Sequence, residues 1–277
     1  MNIYNSITKG LDEAINHERR NIKLKTTMNT PKRYKLIACE IMFREICFCA
    51  AMCKSIIDIS FMPKGLHDVG DVKMLEKLQS EMDSVDVQKY DAILLCYGLC
   101  NNGIKGLHST LPLIVPKAHD CITLLLGSRD KYDKYFRDNP GTFYKSPGWI
   151  ERDVNPNENE QSVTSQLGMN KTYQEYVEQY GEENAEYLME TLGNWFNNYS
   201  KIAYIDTKTG YFEYYKELAK QQANERKWEY EEVEGNTNLI FRLLNGEWEN
   251  EDFLIVPPNN RIEPTYTEDI VSYAPIT

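Results

Sequence analysis

At 277 residues, with 42% hydrophobic and 26% charged side chains, the chain has an ordinary globular composition, which excludes a disordered or collagen-like polymer. Its net charge of −11 is uneven: the first 33 residues hold seven Lys/Arg (Lys9, Arg19, Arg20, Lys23, Lys25, Lys32, Arg33) against three acids (Asp12, Glu13, Glu18), which leaves −15 on the other 244. So acidic a body repels phosphate backbones, and no nucleic-acid partner is expected for it. The basic stretch 1–33 reads as a solvated helix and linker, or as a contact for an anionic partner. Residues 1–9 lack the apolar core of a signal peptide. Apolar runs such as 93–95 and 122–126 fall far short of the ~20 residues of a membrane span, so a cytoplasmic protein without a membrane span is expected. In a reducing compartment, its seven cysteines read as free thiols or metal ligands rather than disulfides.

From Tyr34 onward, strand-like runs alternate with helical ones, the pattern of βαβ units around a parallel sheet. Residues 35–39 (KLIAC) predict a first strand, and 40–54 a helix in which Met42, Ile46, Cys49 and Cys53 recur at helical spacing. A second strand over 57–61 stops at the loop of Pro63 and Gly65, and 72–83 is amphipathic with Val72, Leu75, Leu78 and Met82 on one face. Residues 91–97 (DAILLCY) are almost wholly apolar, as expected of a strand covered by helices on both faces. Residues 113–117 (LIVPK) form a fourth strand whose proline places it at an edge or at its own end. A helix over 121–136 and a short strand over 141–144 follow, the latter ending in Pro147-Gly148-Trp149.

The polar stretch 152–166 marks a boundary, after which the alternation resumes: helix 171–199, strand 201–206, helix 211–228, strand 229–233, helix 237–245 and a final strand 253–256 closed by Pro257-Pro258. The expected fold class is α/β, with a mostly parallel sheet and helices on both faces. Two related α/β halves, 34–151 and 152–277, follow the basic arm, and a single sheet shared between them is the arrangement considered.

In open α/β sheets, ligands bind beyond the carboxyl ends of the strands. Cys39 closes the first predicted strand, His67 follows the second, Cys96 and Cys100 bracket the end of the third, and His119 and Cys121 follow the fourth. Thiolate and imidazole are the preferred ligands of zinc, and thiolate of iron–sulfur clusters. These six residues are therefore candidate ligands for zinc or an iron–sulfur cluster. Their C-x3-C and H-x-C spacings are not the paired C-x2-C units of a zinc ribbon. Buried cysteines acting as small hydrophobes are the plain alternative, and for Cys47, Cys49 and Cys53 the preferred one.

Cys121 also reads as a nucleophile beside His119, if a helix begins there and its amides and dipole favour the thiolate. Gly98 and Gly103, in the glycine loop 98–106, could present amides to an anion, though the loop matches neither common phosphate-binding pattern. Arg129 with Lys131 offers two cations for the carboxylate or phosphate of a small-molecule substrate, and Trp149 offers an aromatic wall. Solvated surface and core packing are the alternatives for these.

At these same residues the sequence resembles a family known as a domain of unknown function. The segments that carry the resemblance are Ala38-Cys39-Glu40, Gly65-Leu66-His67, Tyr97-Gly98-Leu99-Cys100, Ala118-His119-Asp120-Cys121-Ile122, Leu126-Gly127-Ser128-Arg129 and Pro147-Gly148-Trp149-Ile150. Tyr204-Ile205-Asp206-Thr207, Gly246-Glu247-Trp248 and Val256-Pro257-Pro258 follow. The family occurs in anaerobic bacteria and methanogenic archaea, often encoded beside corrinoid-dependent methyltransferases. The resemblance therefore implies one-carbon metabolism, with a corrinoid methyltransferase or corrinoid protein as partner and a corrinoid as a further candidate cofactor. It brings no established activity, and a non-catalytic accessory role in cofactor delivery stands beside methyl transfer. His119-Asp120-Cys121 is also similar to the H-x-C pair of zinc methyltransferases that activate a thiol. Those carry a later cysteine, whereas here a third thiol must come from upstream, from Cys100, Cys96 or Cys39.

Overall fold

The computed structural model describes residues 30–67, 70–100, 102–153, 177, 181–182, 199–248, 251–265, 267 and 269–276. The chain divides into two units, Met1–Lys32 and Arg33–Thr277. The elements below belong to the second, and the expected basic arm and helix 171–199 lie almost wholly outside the described residues.

β1 (Arg33–Cys39) runs into a short 3-10 turn (Glu40–Met42) and α1 (Phe43–Met52). β2 (Ile56–Met62) is followed by a second 3-10 turn (Lys64–His67) and α2 (Asp71–Asp83). β3 (Ala92–Cys96) and β4 (Leu113–Pro116) are buried along their whole length, which explains why they read as unbroken apolar runs rather than alternating ones. Then come α3 (Cys121–Leu126), α4 (Arg129–Asp138), β5 (Thr142–Lys145) and α5 (Pro147–Asp153). β6 (Lys201–Asp206), α6 (Glu213–Arg226), β7 (Glu229–Glu234), α7 (Asn238–Asn245) and β8 (Phe253–Val256) complete the α/β part. An antiparallel hairpin of β9 (Asn260–Pro264) and β10 (Val271–Pro275) ends the described chain.

The fold is mixed α/β with a mostly parallel central sheet. That sheet has the order β2-β1-β3-β4-β8, parallel except for β8, which runs antiparallel to β4. A second sheet, β5-β6-β7, is parallel throughout. Among the described residues there are thus two separate sheets with parallel strands, beside the β9-β10 hairpin, rather than one shared sheet, and pairing crosses the polar boundary in both directions. β5, before it, pairs with β6, and β8, after it, pairs with β4. α7 packs on β3, β4 and α1, and α2 packs on β1. None of the described helices is long and apolar enough to cross a membrane.

Four details depart from the expected elements. The helix expected over 121–136 is two helices, because Gly127 takes a left-handed φ of +71° that ends α3 and the Ser128 hydroxyl caps the first turn of α4. The buried face of α2 is Met74, Leu78 and Met82, while Val72 is exposed; the i, i+4, i+8 row won because Met74 packs under the loop at Gly103. Pro147-Gly148-Trp149 opens α5 instead of ending a strand, with proline at a first position where its missing N–H costs nothing. Pro257-Pro258 does not close the chain's sheet structure, since β9 and β10 follow. Pro116 sits at the end of β4, an interior strand, so of the two expected placements the strand end holds.

The two sheets bring their carboxyl edges together. Gly148, beyond β5, packs against the Ile41 carbonyl beyond β1. The Thr207 hydroxyl, beyond β6, donates to Glu45 of α1 at 2.7 Å. The amide of Asn236, beyond β7, donates to the Leu125 carbonyl of α3 at 2.8 Å. Loops from both parallel sheets therefore meet where ligand sites of such sheets form.

Candidate functional site

Two loops form the floor of this junction. The chain after β3 is held against the chain after β4 by bonds from the Leu99 amide to the Ala118 carbonyl (2.8 Å) and from the Cys100 amide to the His119 carbonyl (2.9 Å). This close approach requires Gly98, where a Cβ would lie 2.6 Å from the Asp120 backbone. Cys100 pays for the turn with a left-handed φ of 46°, a conformation that disfavours non-glycine residues by about 1–2 kcal/mol.

Asp120 fixes the second loop. Its carboxylate accepts from the Ile122 amide at 2.9 Å and the Thr123 amide at 3.3 Å, capping α3, and its other oxygen accepts from the Tyr132 hydroxyl of α4 at 2.8 Å. The third wall is Trp149 of α5, with the Lys64 ammonium 5.0 Å from its ring centroid. A cavity of about 480 Å³ results, lined by Leu99, Cys100, Asn102, His119, Asp120, Cys121, Ile122 and Trp149.

Four of the residues expected at a site from sequence therefore meet here: Cys100, His119, Cys121 and Trp149. His119 is exposed at the rim and Cys121 is buried. Cys39, also buried, is the last residue of β1. The register that pairs Ala38 with Cys96 places Cys39 beside Tyr97. Charge on Cys39 bears on Cys96, Cys100 and Cys121, and charge on Cys100 bears on Cys121; of these thiols, Cys100 and Cys121 line the cavity. Among the described residues, no three His, Cys, Asp or Glu side chains already form a group that could hold a metal ion.

Burial sets the protonation of these thiols. Desolvation pushes Cys39 up to about 12, against the Ile41 backbone, Tyr97 and Lys64. It also raises Cys100, with Cys39 and Asp120 adding to the effect. Cys121 does begin α3, as the nucleophile reading required. Its pKa is nevertheless raised, by burial first and then by the Asp120 carboxylate and the neighbouring thiols, with the nearby Trp149 indole pulling the other way. A six-residue helix whose first amides are spent on Asp120 does not offset this desolvation.

The other expected site residues lie elsewhere. Cys96 is wholly buried and does not line the cavity, and after burial itself Cys49, Cys39 and Glu45 act on it, in that order. His67 ends the turn Lys64–His67, and its side chain is outside the described residues. Gly98 and Gly103 serve packing, against the Asp120 backbone and Met74. Amides of their loop are used internally, Gly103 on the Cys100 carbonyl and Gly106 on the Ile262 carbonyl. Arg129 donates to the Glu251 carbonyl at 3.1 Å, and Lys131 to the Glu234 carbonyl. Neither lines the thiol cavity. Cys49 is core, while Cys47 and Cys53 are half-buried.

Asp120, Tyr132, Tyr97 and Lys64 escaped the sequence reading as site residues. Only Asp120 had a usable signal, as an Asp set directly before the apolar run 121–126, the mark of a helix N-cap.

Comparison with known families matches residues 61–244 to the family described as a protein of unknown function (DUF1638). The match takes in Tyr97-Gly98-Leu99-Cys100, His119-Asp120-Cys121, Leu126-Gly127-Ser128-Arg129 and Pro147-Gly148-Trp149, and leaves Cys39 and Val256-Pro257-Pro258 outside. No curated protein and no solved structure matches the chain. Most of the chain is covered, and it belongs to that family.

Proposed function

We propose that this DUF1638 protein binds a thiophilic metal ion, zinc in the first instance, through Cys100, Cys121 and Cys39, with His119 at the mouth of the cavity. The observation that carries the reading is the convergence of Cys100 and Cys121 on one cavity with Cys39 electrostatically coupled behind them. Three thiols and an imidazole match the Cys3His donor set of zinc, and an iron–sulfur cluster would draw on the thiols alone. The ligands would close in on binding, with loss of the thiol protons. A bound metal ion would lower the pKa of an added thiol or water ligand. The resemblance read from the sequence, which implies a neighbourhood of corrinoid-dependent methyltransferases, adds one-carbon transfer to the proposal, with a corrinoid protein or its methyltransferase as partner.

Elemental analysis of anaerobically purified protein, with an absorption spectrum, tests this. About one metal equivalent is expected in the wild type, or the charge-transfer bands of a cluster, with loss in both Cys100→Ala and Cys121→Ala. Metal content unchanged in both variants would overturn the reading.

A further inference from the structure

Away from the thiol cavity, the same junction holds a carboxyl group with an unusual environment. Glu45, in the first turn of α1, is 1% exposed. One oxygen accepts from the Thr207 hydroxyl at 2.7 Å, while the other, Oε2, is buried and has no hydrogen-bond partner. The groups that face it leave a carboxylate uncompensated. On α1 itself, Arg44 donates through Nε to Glu151 of α5 at 2.7 Å, and Tyr215 donates to the same Glu151 oxygen at 2.8 Å. Cys49 of α1, Cys96 of β3 and Tyr204 of β6 are near enough to feel the Glu45 charge, and all are uncharged acids or thiols. Beyond Thr207, the next hydroxyl is Thr209, at 3.2 Å from it.

We propose that Glu45 is a proton-dependent latch: as a neutral carboxylic acid it sits buried in the closed junction, and its ionisation, which leaves a charged Oε2 with neither water nor a donor, opens the junction between the two sheets even though the Thr207 hydroxyl donates more strongly to a carboxylate. Thr207 belongs to one sheet's carboxyl edge and Glu45 to the other's, so the bond spans the junction. Trp149, the cavity wall contributed from the second sheet's side, follows the Gly148–Ile41 contact across the same junction, so opening loosens that wall. Burial raises the Glu45 pKa, more than Thr207, its own backbone amide and Arg44 lower it.

The pH dependence has a definite sign. Below the ordinary carboxylate range, the carboxyl is protonated in both closed and open forms, and the latch has its full strength. As pH rises above that range, the open form ionises first, and closure weakens until the closed form's own pKa is passed. The inference stands apart from metal binding.

Hydrogen exchange by mass spectrometry on the full chain, corrected for the intrinsic pH effect and followed from about pH 5 to about pH 9, tests it. Exchange in residues 146–152 and 207–210 is expected to rise with pH in the wild type, by up to about tenfold per pH unit. In Glu45→Gln, which keeps the shape without the charge, protection should hold throughout. Thr207→Val removes the donor, and should show fast exchange already at low pH. A flat profile in the wild type, a wild-type profile in Glu45→Gln, or wild-type protection in Thr207→Val would each overturn the latch.

Discussion

Gly148→Ala is expected to lower the stability of the fold by about 3 kcal/mol, at the upper end of what overpacking costs. The added Cβ would sit 1.7 Å from the Ile41 carbonyl oxygen and 2.6 Å from its carbon. Those atoms are backbone, in the turn that leaves the central strand β1, and cannot swing aside as a flexible side chain would. Relief requires α5 to move off the turn as a unit. That movement strains two ion pairs on the same surfaces, Arg44 with Glu151, and Arg152 with Glu40 at 3.1 Å. It also withdraws Trp149 from the cavity. Urea unfolding should show a lower midpoint with little change in slope, and the folded fraction of the variant should lose protection in residues 147–153. A midpoint within experimental scatter of the wild type would contradict the packing described.

The second large effect belongs to Asp120. Asp120→Ala removes the cap of α3, worth about 1 kcal/mol, and strands the Tyr132 hydroxyl, for which a lost buried partner costs about 1–3 kcal/mol. The net expectation is a destabilisation of about 2–3 kcal/mol, because Tyr132 is mostly but not wholly sealed from water and the separate losses are not additive. Asp120→Asn keeps an oxygen for the two amides, and should cost about 1 kcal/mol, mainly by presenting an amide to Tyr132. The local consequence is as telling as the global one. With α3 frayed at its start, Cys121 becomes accessible, so its alkylation should quicken in the alanine variant relative to Cys49, which lies in the core. Equal Cys121 rates in wild type and Asp120→Ala would show that Asp120 does not hold the loop.

The sequence pattern located most strands well because β1, β3 and β4 are apolar runs bounded by turns, and burial on both faces leaves that mark. Their order in the sheet, and the existence of a second sheet, were not legible. A strand such as β5 carries the same short alternation whichever partner it takes, and the pairing of β8 with β4 depends on contacts far apart in the chain, as in Ile114 with Ile255, 141 residues apart. The site was half legible. A carboxyl-end position can be read from a strand boundary, which placed Cys100, His119 and Cys121 together with some precision. What stands behind them could not be read that way. Asp120 and Tyr132 meet because Gly127 and Ser128 turn α4 back across α3, and Glu45 was indistinguishable from a solvated first-turn acid. The reading of Cys121 as a ready thiolate failed for a related reason: sequence shows a helix start but not the burial that outweighs it.

The most direct measurement is a cobalt(II) titration of the metal-free protein under anaerobic conditions. Cobalt(II) accepts the same thiolate and imidazole ligands as zinc, and its thiolate charge-transfer absorption counts the sulfur donors. The metal-site proposal predicts absorption that saturates at about one equivalent, weakens in Cys39→Ala, and disappears in Cys100→Ala and Cys121→Ala. Because the thiols are held protonated by burial, apparent affinity should rise with pH as their protons are displaced. A wild-type protein that gives no thiolate-to-cobalt absorption at any pH where it stays folded would contradict it.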